Sequence, residues 1–487
     1  MVRKYILVCE EYDKIVKHAV NKVVFEISKK IDYVLPVMCI KDVTEQELKE
    51  NNLIIISKAS NKTLCTLFME KNLVELPSLP QAYSVYVGES PYNSEMQAIA
   101  IFGFDESGVL YGAMDFANRY IGSEIYSGRK RNLMEKGYFD DVFCDKLPSW
   151  NISTAPAIKT RALWTWGHVI YDYKKYFENM VALRLNEVVI WNDVAPINAK
   201  DVVDYAHSLG IKVVWGFAWG WGVNCKKIVE AFSAESINEL KASIIDKYKK
   251  EYANTNADGI YFQSFTELHQ DNIDGKCIAE LVTKLVNEIG SALLNEYPNL
   301  HIQFGLHATS VKNKLEYIKQ VDKRINIVWE DCGAFPYHYV VNRIEDFDQT
   351  VEFTKQLLSL RGNDEKFGTV LKGLVNLDWV KFKHYDKSFV MGENYEVMSY
   401  ADIKGRERIW RYIQADWFKN AEYCKKMVEV IAENNDSIVE GLVEDAMFEC
   451  FIPLPVAIFA ELLWNPKQNV QELISEVSKF NCVKLIN

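Results

Sequence analysis

The sequence predicts a (β/α)8 barrel preceded by a small α/β domain, and three observations predict it. From Thr160 onward, near-continuous apolar strands alternate with amphipathic helices, the pattern of parallel strands covered by helices. No G-x-G-x-x-G or Walker motif follows any of these strands, which removes the main support for a doubly wound open sheet. "LPSWNISTAPAIKTR", with Pro148 and Pro156, breaks the chain between this repeat and a shorter alternation before it. The domains are therefore placed at residues 1–150 and 151–487, the second ending in a helical extension.

In the first domain "KYILVCE" reads as a strand, and "YDKIVKHAVNKVVFEISKKID" carries apolar residues at helical spacing. "LIIISKA" and "AYSVYVGES" read as further strands. "MQAIAIFGFDESGVLYGAMDFANRYIG" gives a strand, a turn holding Gly103, Asp105 and Gly108, and a helix.

The barrel strands follow in order: Thr160–Trp166, Asn186–Asn192, Ile211–Trp219, Gly259–Phe265, His301–Ala308, Ile325–Asp331 and Thr369–Trp379. Between them "YKKYFENMVALRL" lines Phe177, Met180, Val181 and Leu185 along one stripe, and "IAELVTKLVNEIGSALL" behaves similarly. "PVAIFAELLW", Pro455–Trp464, is the expected eighth strand.

Composition narrows the function classes. Hydrophobic residues make up 49% and charged residues 25% of the 487, normal for globular domains with a sizeable core. Net charge is −11, and no basic run exceeds "GRKR" at Gly128–Arg131, which argues against nucleic acid. The 10 cysteines are scattered without a C-x-x-C pair and read as buried thiols in a reducing compartment. The N-terminal apolar run is too short for a signal peptide, and no apolar stretch is long enough to span a membrane. A cytoplasmic monomer or homodimer without membrane contact is the expectation.

In such a barrel, chemistry sits at the carboxyl ends of the strands. Those ends gather Trp164, Trp166 and His168; Trp191, Asn192 and Asp193; Trp219, Trp221 and Asn224; and Glu267, His269 and Asp271. They continue with His307; Trp329, Glu330 and Asp331; Asn376, Asp378 and Trp379; and Glu461, Trp464 and Asn465. A lone strand-end acid commonly caps a helix, and a lone Trp is commonly core. So many acids and indoles on one rim suit a carbohydrate, whose C–H faces stack on indoles and whose hydroxyls bond to carboxylates. Glycosidic cleavage needs one protonated carboxylic acid and a second group that attacks or activates water. No H-E-x-x-H motif occurs and the 8 histidines are dispersed, so neither a metal nor another cofactor is expected.

"FGFDESGVLYGAMDFANRYIG", "RALWTWG", "LNEVVIWND" and "FAELLWNP" resemble segments of glycoside hydrolase family 20 hexosaminidases and family 67 α-glucuronidases, over about residues 80–465. The resemblance implies a hexosaminidase-like N-terminal domain and makes Glu267 the general acid. It points to Glu330, Asp331 and Asp378 as candidates for base or nucleophile, without choosing among them. Trp464 would line the glycone subsite, with Trp164 or Trp379 nearby. Arg161 would contact the glycone or pair in the barrel floor. Trp166, Asn192, Trp219, His269, His307 and Trp329 complete the expected substrate-binding set. Family 20 enzymes that use the substrate acetamide carry Asp-Glu at the end of strand four, whereas this chain has Thr266-Glu267. That departure counts against the substrate-assisted mechanism.

The expectation is an exo-acting glycoside hydrolase on short oligosaccharides or glycosides. The sugar, whether N-acetylhexosaminide, uronide or another hexoside, is open. The rivals are a non-catalytic sugar-binding barrel that lost its chemistry, and a barrel hydrolase or lyase for a non-sugar substrate.

Overall fold

The computed structural model describes residues 4–10, 14–31, 33–121, 147–220, 234–265, 272–273, 275–307, 313–330, 347–362, 365–375, 387–393, 400–434, 436–443, 449 and 451–486. The N-terminal sheet has six strands in the spatial order Val37–Cys39, Tyr5–Cys9, Asn52–Lys58, Gln97–Gly103, Tyr83–Glu89 and Trp150–Thr154. The first four run parallel, while Tyr83–Glu89 is antiparallel to both its neighbours. The last strand crosses residue 150, so this sheet extends to Thr154. Helices Lys14–Ser28 and Glu106–Asp115 cover one face, and Lys62–Glu70 the other. Two covered faces explain why "LIIIS" has no polar alternation.

The G-x-D-x-x-G stretch is a tight turn. Asp105 caps helix Glu106–Asp115 by accepting from the Gly108 amide at 2.8 Å, and it also accepts from the Gln81 amide at 2.8 Å. A Cβ at Gly103 or Gly108 would overlap backbone atoms, so the turn closes only with glycine at both.

The second unit is a closed parallel barrel of eight strands. Strands one to seven are Thr160–Trp166, Glu187–Trp191, Lys212–Gly216, Gly259–Phe262, His301–His307, Ile325–Glu330 and Phe367–Leu374. Each lies inside or beside its expected segment. The eighth does not. It is Ser437–Val443, paired with strands seven and one, whereas the expected Pro455–Trp464 belongs to helix Leu454–Trp464. That helix is buried at every position, so its sequence shows no polar face to mark it as helical. The true strand, "SIVEGLV", is interrupted by Glu440 and Gly441 and reads poorly as core.

The register makes alternate residues point into the barrel. Trp164, Val189, Val214, Tyr261, Val328, Val370 and Leu442 form one apolar cluster there. The staggered strands stack these side chains in layers. One layer holds Val189, Tyr261, Val328 and Glu440, and a higher one, toward the rim, holds Trp191, Gln263, Glu330 and Leu442.

Under the barrel lies the junction with the first domain. Arg184 ion-pairs with Asp115 at 3.1 Å and with Glu461, and Arg119 ion-pairs with Asp115 at 3.1 Å and with Glu461. Tyr83 accepts from Arg184 at 2.7 Å. Asp115, Arg184, Glu461 and Tyr83 are buried and Arg119 is half-buried, and the group joins helix Glu106–Asp115, the turn before strand two and helix Leu454–Trp464.

Candidate active site

Glu330 ends strand six and points inward. Its Oε1 accepts from the Tyr261 hydroxyl at 2.7 Å and from the Gln263 amide, and its Oε2 faces the Lys372 ammonium at 3.1 Å. Burial by itself would raise this carboxyl's pKa. The Lys372 charge and the hydrogen bonds from Tyr261 and Lys372 overcome that and hold it below the usual carboxylate range. Glu330 is therefore a carboxylate at neutral pH, suited to stabilising positive charge, attacking or activating water, and unsuited to giving a proton.

His307 pairs with Glu330 across strands five and six. Burial, then the Lys372 charge, pushes its imidazole down to about 4, so it is neutral at pH 7. Tyr261 is pushed well above the phenol range by burial and by Glu330, so it stays a donor. A Cβ at Gly305 would overlap the Tyr261 hydroxyl, which is how the ring reaches this position.

The aromatic lining is contiguous. Trp164 packs edge-on against Trp166 at 4.9 Å and against Tyr261 at 5.8 Å, and lies tilted to Trp191 at 5.7 Å. The Trp164 indole N–H is buried without a hydrogen-bond partner among the described residues, as is the Asn192 amide nitrogen. Asn192 lies against Gly167 at the ends of strands one and two. Both are donors free for a ligand or water.

Below them, Glu440 is wholly buried and neither carboxyl oxygen has a hydrogen-bond partner among the described residues. Burial, then Glu187 and Glu330, raises its pKa well above normal, so it is a neutral acid. Glu187 is raised likewise by burial, and Gln303 donates to it at 2.8 Å.

Glu330, His307, Trp164, Trp166 and Asn192 thus stand together at the carboxyl end of the barrel. Four other expected residues do not. Trp219 points outward and stacks on Phe262 at 3.5 Å, beneath the helical layer. Trp329 also points outward, edge-on to Phe353 at 5.4 Å. Both have the opposite strand parity to Glu330. Arg161 is in the floor, donating to the Arg184 carbonyl at 2.8 Å and to Gln81 at 2.7 Å. Trp464 is in the domain junction, where the Arg184 guanidinium sits 4.5 Å from its ring and its N–H bonds to Thr154 at 2.8 Å. Its glycone role fell with the eighth strand. Glu267, His269, Asp331, Asp378 and Trp379 lie outside the described residues.

Sequence reasoning missed Tyr261, Gln263, Lys372 and Glu440 because it looked only at strand ends. A usable signal was present: Lys372 and Glu440 are charges inside apolar strands, at the parity of inward neighbours.

The fold and rim define a (β/α)8-barrel protein with an ionised carboxylate set among aromatic rings. No protein-family model matches the chain, and no curated protein matches it. Solved structures do. CpGH84D is 15% identical with a TM-score of 0.46, covering 76% of this chain and 57% of its own. A CpGH89 variant from Clostridium perfringens, in complex with its substrate GlcNAc-α-1,4-galactose, is 9% identical with a TM-score of 0.46, covering 95% and 50%. The Bacillus megaterium spore cortex-lytic enzyme SleL is 11% identical with a TM-score of 0.38, covering 66% and 79%. This chain therefore spans about half the length of the first two.

Proposed function

We propose that the protein is an exo-acting glycoside hydrolase on short oligosaccharides or glycosides. The observation that carries this reading is Glu330: an inward carboxylate kept ionised by Lys372, beside a wall made by Trp164, Trp166 and Trp191. An oxocarbenium-like transition state needs such a negative charge, and sugar faces need such rings. Glu267 supplies the proton to the leaving oxygen in this scheme, and Asp331 or Asp378 takes the base role if Glu330 acts only through its charge. The substrate is a carbohydrate, cleaved in the cytoplasm.

Glu330→Gln tests the reading. It is expected to cut turnover of aryl glycosides by at least a hundredfold while the folded variant still binds the sugar. A non-catalytic sugar-binding barrel is the second reading, favoured by the fact that both Glu330 oxygens are already engaged. Wild-type protein that cleaves no glycoside, yet is stabilised by a sugar to the same extent as the Glu330→Gln variant, would establish that alternative.

A further inference from the structure

At the end of the barrel opposite the rim, a groove of about 360 Å³ opens at the starts of strands five, six and seven. Its polar lining includes His301, Lys323, Arg324, Asn326, Glu365 and Lys366. Three of these are cations brought from two separate turns, and Glu365 is the one carboxylate in the lining among the described residues.

The cations are not equally neutralised. Lys323 faces Glu365 at 2.5 Å, and Arg324 faces Asp322 at 2.6 Å. Lys366 has no carboxylate at ion-pair distance among the described residues. Its ammonium donates instead to His301 Nδ1 at 3.1 Å. His301 is deeply buried, and burial with the Lys366 and Lys212 charges pushes its imidazole down to about 3, so it is neutral and accepts. Its Nε2 lies 2.6 Å from the Asn326 side-chain amide. This chain of bonds fixes the Lys366 head group at the groove with two ammonium protons unassigned and no contacting counter-charge among the described residues.

We propose that this groove is a binding site for a phosphate-class oxyanion, which Lys366 holds from below and Lys323 and Arg324 hold from the sides. A tetrahedral anion suits donors that converge from several directions, and a guanidinium beside two ammonium groups provides them. The site is independent of the reading proposed for the rim, because it lies at the other end of the strands.

The test uses inorganic phosphate and the full chain. Titration is followed by calorimetry and by the melting midpoint, with chloride at matched ionic strength as control. Phosphate is expected to raise the midpoint above chloride in a saturable way. Lys366→Met is expected to weaken phosphate at least tenfold and to melt like wild type in chloride, and Lys366→Arg to retain binding. Glu365→Gln should act in the opposite direction, tightening phosphate severalfold by removing the carboxylate of the lining. Should Lys366→Met fail to fold, Arg324→Gln reads the same loss. Equal midpoints in phosphate and chloride overturn the proposal, as do dissociation constants unchanged by Lys366→Met, or by Arg324→Gln in its place, and by Glu365→Gln. A phenyl phosphate arm separates a groove that takes esters from one that takes only the free anion.

Discussion

Glu330 and Glu440 show how one barrel sets two carboxyls to opposite protonation states. Both are buried on inward positions, but only Glu330 has Lys372 beside it. Lys372→Met is expected to raise the Glu330 pKa and to cost about 3 kcal/mol by leaving a buried charge unpaired. Urea unfolding checks the cost, and an acid limb of the activity profile moved to higher pH checks the shift. For Glu440 the sign runs the other way. Its folded pKa lies above the unfolded value, so its contribution is fully present below about pH 4.5 and is lost as pH rises toward the folded value. Glu440→Gln removes that loss. The variant should gain on wild type by about 1.4 kcal/mol per pH unit between about pH 5 and the folded pKa, read from denaturation midpoints over that range. A difference that stays flat with pH would mean that Glu440 is ionised in the fold.

Strands one to seven were legible because each is an apolar run bounded by turn residues and separated from the next by a helix. Strand eight was not, for reasons visible in two segments. Helix Leu454–Trp464 is buried all round, so it carries apolar residues without the periodicity that marks a surface helix. Strand Ser437–Val443 faces a lumen that accepts Glu440, and its Gly441 lies close to Phe459 of that same helix, where a Cβ would come within 3.0 Å. The exchange of these elements moved Trp464 from the rim to the domain junction. Trp464→Ala is accordingly expected to cost about 3–5 kcal/mol in stability while leaving sugar affinity of the folded protein unchanged. Trp166→Ala, at the rim, should do the reverse and weaken the sugar with a smaller loss of stability. Paired thermal melts with and without ligand separate the two cases. Strand-end reading selected Glu330 and His307, which share the inward parity, and Trp219 and Trp329, which do not, because a list of ends ignores parity.

Across the full chain, the Asp115–Arg184–Glu461–Arg119 network ties the N-terminal sheet unit to the barrel through a buried junction. Glu461→Ala leaves two guanidinium groups short of a partner, with an expected loss of about 3–5 kcal/mol. The two units are then expected to melt separately in calorimetry, against a single expected transition for the wild type. The order of the first seven barrel strands and the presence of a barrel follow from the residues alone, because parallel strands covered on both faces must be apolar along their length. The same residues bring acids and indoles to the strand ends. Which of them share the lumen depends on register and parity around a closed sheet, and that needed the folded coordinates of all eight strands. The same closure sets Lys372 beside Glu330 and keeps it charged, while Glu440, one strand beyond Lys372, has no cation against it among the described residues and keeps its proton.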